Sequence, residues 1–308
     1  MNSSGCGGVI TPLLTPITED EKVYEPSLRN LVDYQLDNGV SGLWASGTTA
    51  EFAALTDSER IRSIELVADQ AAGRVPVIAN VSMSSTSLTI ELGRSVARLV
   101  AAVAATPPYY YPHSQQELKD HYRRIRQALG VPLWVYNIPQ MHKTVVAPST
   151  IADLAEEGVV EGVKDSSGDG ESLAQLHTLR SSRGFELVST LGTTQRATTA
   201  AALGAQGIVP GLANAVPAIF AQAWEAGRVG DSEMARACDD RIVTAMRLQT
   251  LARDGASAQG SVYAGLKAAL MHMGVIAADH VTAPFRKLTD SERREIPEIL
   301  GRLGLDGR

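Results

Sequence analysis

Eight short apolar runs, each followed by a longer amphipathic stretch, limit what this chain can fold into. The runs are GVITPLL (8–14), GLWAS (42–46), VPVIAN (75–80), VAAVAAT (100–106), VPLWVYN (131–137), VVEGVK (159–164), ELVST (186–190) and GIVPG (207–211). Several lack polar–apolar alternation, as strands do when both faces are covered in a parallel sheet. The intervening stretches carry helix signals. Thr56 stands three residues before Glu59 and Ser114 three before Glu117, the spacing of a capping box, with Gly73 and Gly130 at the stops. Eight such units predict a (β/α)8 TIM barrel over residues 1–228. A doubly wound sheet is the alternative, but no G-x-G-x-x-G follows any of the runs. Beyond Gly230 the strand pattern stops, and 231–252, 260–274 and 290–304 read as helices. A small C-terminal helical domain, 229–308, is therefore expected to pack on the barrel.

Composition narrows the function classes. A net charge of -6 over 308 residues argues against a nucleic-acid partner, which calls for a basic surface. The densest basic cluster, HYRRIR at 121–126, reads as a solvated helix face. The opening MNSSGCGG has neither the basic nor the apolar region of a secretory signal. No apolar run approaches the ~18 residues of a bilayer span, and LVAAVAA at 99–105 reads as a core strand. No membrane partner and a cytoplasmic location are the expectations. Cys6 and Cys238 have no metal or redox spacing and allow at most one bridge. The six histidines show neither H-x-H nor H-E-x-x-H, so no metal and no other cofactor is expected.

In such a barrel the active site lies at the C-terminal ends of the strands. The chemically interesting motifs fall there: GTTAE (47–51), TPPYYYP (106–112), YNIP (136–139), Lys164 within GVKDSSG (162–168), and PGLAN (210–214). A lysine at a strand end inside the mouth is desolvated, which lowers its pKa and frees the amine lone pair. Such an amine condenses with a ketone to an iminium, an electron sink for C–C bond chemistry. A structural ion pair or an anion-binding ammonium is the competing reading. Asp165 makes a poor partner, because successive strand residues point to opposite faces. Tyr136, one strand over, can move the protons that iminium formation requires, or be plain core. Gly47-Thr48-Thr49 offers a tight turn whose N–H groups and hydroxyls suit a carboxylate. His142, close after YNIP, is a further candidate base.

GTTAE, YNIP and GVKDSSG, in that order and at those barrel positions, resemble the dihydrodipicolinate synthase / N-acetylneuraminate lyase family of class I pyruvate aldolases. The likeness runs from GVITPLLTP at 8–16 to the C-terminal helices. It implies that Lys164 forms a Schiff base with pyruvate or a related 2-keto acid, with an aldehyde as second substrate. It implies Tyr136 as proton shuttle, with Thr48 and Thr49 holding the carboxylate and the Thr48 hydroxyl extending the relay. Tyr110 aligns with a tyrosine that reaches the relay from a neighbouring subunit, and Val209 with a backbone carbonyl near the imine. A homodimer or homotetramer is implied. Three departures matter. Ala50 replaces a glycine, which alters the turn if that position needs φ > 0. Met141 stands where synthases carry an arginine for the acceptor's carboxylate; His142 or Lys143 would have to substitute. Phe52 and Leu88 replace residues of the lysine feedback site, so lysine inhibition is not expected. Met141 makes an aldolase for 2-keto-3-deoxy sugar acids or related 2-keto acids the alternative to a true dihydrodipicolinate synthase. A barrel that only binds a keto acid is the rival class; Lys164, Tyr136 and Thr48 together speak against it.

Overall fold

Side chains alternate along each strand, and that alternation sorts the sequence into two buried layers. The computed structural model describes residues 5–168 and 170–305. Its strands are β1 (Gly8–Pro12), β2 (Gly42–Ala45), β3 (Val77–Asn80), β4 (Ala102–Ala105), β5 (Leu133–Asn137), β6 (Gly162–Asp165), β7 (Val188–Leu191) and β8 (Gly207–Ile208). All pair in parallel with their sequence neighbours, and β8 pairs back onto β1, so the sheet closes into a barrel. Each strand overlaps one of the eight apolar runs, and the expected (β/α)8 fold is the one observed.

Helices α1 (Glu25–Asp37), α2 (Asp57–Ala71), α3 (Thr86–Val96) and α4 (Gln115–Leu129) follow the first four strands. The fifth strand is followed by α5 (Pro139–His142) and α6 (Pro148–Glu156), and the sixth by α7 (Glu171–Arg183). After β7 the backbone forms turns and a 3₁₀ helix, Ala201–Leu203, where a full α-helix would stand. The eighth unit ends in α8 (Pro217–Val229). Beyond it come α9 (Ser232–Met246), α10 (Ala258–His272), α11 (Asp290–Arg293) and α12 (Ile296–Arg302). Leu266, Ile299 and Leu300 of these last helices belong to the same buried cluster as Leu43 and Val163 of the barrel. Among the described residues no helix is long and apolar enough to cross a membrane.

The barrel interior holds Ile10, Trp44, Ile78, Ala102, Ala104, Trp134, Tyr136 and Val209. Their strand neighbours Leu43, Ala45, Val103, Ala105, Leu133 and Val135 belong to the other cluster, under the helices. Large and small residues interleave inside. Trp44 and Trp134 meet edge to face at 6.1 Å, and Trp134 pairs in register with Gly162. A Cβ at Gly162 would stand 2.1 Å from the Trp134 ring, too close for a packed core to absorb. Gly162→Ala is expected to cost about 1–3 kcal/mol through overpacking. Thermal unfolding reads this as a lower Tm, and an unchanged Tm would show that the ring has room to shift.

Local signals fared unevenly. Ser114 and Glu117 form the complete reciprocal box at the start of α4. At α2 only half forms: Thr56 caps Glu59 N–H, but the Glu59 carboxylate accepts instead from Val23 N–H at 2.7 Å and pairs with Lys22 at 3.4 Å. That helix ends with Ala72 in the left-handed region, one residue before the expected Gly73. The LVAAVAA strand begins only at Ala102, with Leu99 half exposed. The HYRRIR run is not a uniformly solvated face. His121, Tyr122 and Ile125 are buried, while Arg123 pairs with Asp120 and Glu157 and Arg126 with Glu161. Cys6 and Cys238 are both buried and unbridged.

Candidate active site

Strand parity decides what faces the barrel interior. Tyr136 and Lys164 are paired in register across β5 and β6, and Tyr136 belongs to the interior layer with Trp44. The Lys164 Nζ therefore stands over two rings, 4.2 Å from the centre of Tyr136 and 4.7 Å from that of Trp44. Asp165, one residue on, faces away, where its carboxylate accepts from Asn137 Nδ2 at 3.0 Å and Ser167 Oγ at 3.0 Å. Lys164 is only 4% exposed. Burial pulls its pKa down to about 7, with no carboxylate contributing to hold the proton. A substantial fraction of this amine is thus neutral at physiological pH.

The second element is the turn after β2. Thr48–Ala50 form one turn of 3₁₀ helix behind Gly47. Gly47 is required by space rather than by φ, since a Cβ there would lie 2.9 Å from the Trp44 ring. The left-handed residue is Glu51, at φ 59°, and Ala50 is not among the residues of positive φ. The departure at position 50 therefore leaves the turn unstrained. Thr48 Oγ1 and Tyr136 Oη are 3.1 Å apart, joining this turn to β5 by a hydrogen bond. Burial pushes the Tyr136 phenol up to about 12, so it keeps its proton at neutral pH. Thr49 lies beside the β8 turn, its Oγ1 3.4 Å from where a Cβ of Gly211 would be. Val209, just past β8, is buried in the interior layer with Trp44 and Tyr136.

Sequence reasoning missed what holds this turn. The Tyr263 hydroxyl, on α10, donates to the Thr48 carbonyl at 2.7 Å. One turn further along α10, Lys267 forms a fully buried ion pair with Glu51 at 2.5 Å. The other Glu51 oxygen accepts from the backbone N–H and hydroxyl of Thr282, both at 2.8 Å. Lys267 donates in addition to the His280 carbonyl. A signal was present: Lys267 sits mid-helix in an apolar run, YAGLKAAL, where a charge needs a buried partner.

Beside the Thr48 turn the mouth opens into a cavity of about 900 Å³ lined by Thr48, Tyr110, Met141, His142 and Lys143, among others. Tyr110 is on its rim at φ 92°, with 79% of its surface exposed. The Tyr136 hydroxyl is bonded to Thr48, not to Tyr110. Met141 is half exposed on α5. His142 is buried, accepts the Ile138 N–H at its Nε2, and is pushed down to about 4 by burial. It is neutral at pH 7 and cannot replace an arginine as a cation; Lys143, exposed, can. Phe52, buried, also lines this cavity, and Leu88 is exposed. Among the described residues no group of three or more His, Cys, Asp or Glu side chains is placed to hold a metal ion.

Comparison with known proteins agrees with this fold. Residues 5–303 match the model of the dihydrodipicolinate synthetase family. A 4-hydroxy-tetrahydrodipicolinate synthase of Acidobacterium capsulatum is 33% identical, over 99% of this chain and 97% of the relative. The dihydrodipicolinate synthase structure from Bacteroides thetaiotaomicron superposes with a TM-score of 0.89 at 30% identity, covering 96% of this chain and 98% of that one. A chloride-inhibited dihydrodipicolinate synthase from Acinetobacter baumannii, solved with pyruvate, gives 0.85 at 26% identity over 97% and 99%.

Proposed function

The chain belongs to the dihydrodipicolinate synthetase family of lyases, and from that premise we propose that it joins or cleaves C–C bonds through a pyruvate Schiff base on Lys164. The observation that carries this reading is the buried Lys164 amine, depressed by burial alone and stacked beside Tyr136. The relative solved with pyruvate supports the choice of keto acid.

In the proposed reaction the neutral amine attacks C2 of pyruvate. Tyr136 delivers a proton to the resulting carbinolamine oxygen, which leaves as water, and Thr48 relays protons to Tyr136 over the 3.1 Å contact. The N–H groups that begin the Thr48–Ala50 turn have no partner within it and suit the pyruvate carboxylate, with the Thr48 and Thr49 hydroxyls beside them. In this reading the backbone carbonyl of Val209 lies near the imine, as the family resemblance implies. Loss of a C3 proton gives the enamine, whose C3 bonds to the aldehyde carbon. Hydrolysis then releases a 4-hydroxy-2-keto acid and restores the amine. The same steps reversed cleave such an acid.

Tyr110, strained at positive φ and largely exposed, supports a homodimer or homotetramer in which it completes a neighbour's relay. A cytoplasmic enzyme needing no cofactor is part of the same reading. The acceptor divides two versions of it. A true dihydrodipicolinate synthase needs a cation for the carboxylate of its aldehyde, a role that here falls to the exposed Lys143, whereas Met141 and the neutral His142 favour an aldolase for another class of 2-keto acid.

Borohydride reduction in the presence of pyruvate, followed by peptide mass analysis, tests the proposal. The expected outcome is a stable adduct on Lys164, forming faster as pH rises through about 7 because the free amine attacks. A folded enzyme that gives no adduct would rule the Schiff-base route out.

A further inference from the structure

The walls of the mouth cavity bear on the aldehyde, given the Schiff-base reading above. Its volume of about 900 Å³ is at the upper end of ligand pockets, which span roughly 300–1,000 Å³ and bury drug-sized molecules. A pyruvate held by the Thr48 turn sits at its edge and leaves most of it empty. The side chains facing this space are largely apolar: Phe52, Ile138, Met141, Tyr263, Pro284 and Phe285. Two edge-to-face ring pairs stiffen them, Phe52 with Tyr109 at 6.3 Å and Tyr263 with Phe285 at 5.2 Å. Rings held in this way present flat, preorganised surface of the kind aromatic ligands pack against.

The polar groups along the cavity are mostly engaged elsewhere. Glu51 is occupied by Lys267 and Thr282. Tyr263 gives its hydroxyl proton to the Thr48 carbonyl, and Thr106 gives its own to the Pro107 carbonyl. His142 Nε2 accepts from Ile138 N–H. Among the described lining residues, Lys143 is the one charged side chain left, and it is exposed. Gln259 bonds the Tyr263 hydroxyl, which leaves the hydroxyls of Tyr109 and Tyr110 to orient a polar substituent. A polyhydroxylated chain would bury hydroxyls against apolar walls without partners, which is costly. A second carboxylate would meet one exposed ammonium and no bidentate arginine.

We infer that the aldehyde partner of this site is aromatic, and that the product is a 4-hydroxy-2-keto acid carrying an aryl group at C4. Chemically the enamine C3 bonds to the aryl aldehyde carbon, the aldehyde oxygen takes up a proton, and water frees the product from Lys164. Phe52 and Phe285 enclose the ring, and Met141 contributes a polarisable apolar contact.

The test measures kcat/KM with pyruvate and, in parallel, benzaldehyde, aspartate semialdehyde and glyceraldehyde, alongside borohydride trapping of pyruvate. Trapping with benzaldehyde preferred by about tenfold or more, the scale of discrimination an apolar pocket provides, is the expected result. Met141→Arg is expected to shrink that preference by raising turnover of aspartate semialdehyde. Trapping on Lys164 with either polar aldehyde preferred overturns the aromatic assignment and leaves the Schiff-base reading standing. No trapping overturns both. The wild-type comparison decides the matter even if the arginine variant does not fold.

Discussion

Replacing Lys164 with methionine is expected to abolish turnover, by about 10⁴-fold or more as for loss of other covalent nucleophiles, while making the protein more stable at neutral pH. The two effects share a cause. Lys164 is enclosed by Trp44 and Tyr136 with no carboxylate to offset its charge, so the folded protein favours the neutral amine that the chemistry uses. Its folded pKa of about 7 lies below the ordinary lysine value of 10.5. Between those values the unfolded chain holds the proton and the folded one does not, so stability rises with pH across that window. Below about pH 7 both states are protonated and the full cost of burying the ammonium is felt. Lys164→Met removes it. The variant should therefore gain up to a few kcal/mol over wild type at pH 7 and below, with the gain fading toward pH 10. Urea unfolding at several pH values measures this; a variant less stable than wild type at pH 7 would mean the amine has a partner that offsets its burial.

Lys267→Met is expected to have the largest effect on stability. It leaves the Glu51 carboxylate buried with only Thr282 donating to it, and removing one partner of a buried pair costs about 3–5 kcal/mol. The consequence reaches the site, because Glu51 ends the turn that begins at Thr48. Pyruvate trapping by the surviving folded fraction should slow as well. The double variant Glu51→Gln with Lys267→Met should recover much of the stability, since no charge is then buried alone. If Lys267→Met melts at the wild-type temperature, the turn does not depend on this pair. If the double variant is as unstable as the single one, the deficit comes from packing around α10 instead of from the stranded charge.

The same residues show how much was legible in advance. The eight strands could be read because short apolar runs alternating with capped amphipathic stretches are local properties, written in consecutive residues. That Lys164 and Asp165 face opposite ways followed from side-chain alternation, and the placing of GTTAE, YNIP and Lys164 at one end of the barrel followed from their positions at strand ends. Complete capping at Ser114 was equally local, needing only Glu117 three residues away. At Thr56 the same spacing was only half fulfilled, because Glu59 found Val23 and Lys22, residues from another part of the chain.

The sequence by itself determined the barrel, its order of strands and the position of the amine. Tertiary structure decided how that amine is tuned and how its turn is held. Two rings must close over Lys164 before its pKa falls, and α10 must fold back on the barrel before Tyr263 reaches Thr48 and Lys267 reaches Glu51. The acceptor's surroundings belong to the same class: Phe52, Met141 and Phe285 come from three distant segments and form one wall only when the mouth is assembled. Desolvation and long-range pairing depend on what the whole fold encloses, and no local pattern of residues encodes that enclosure.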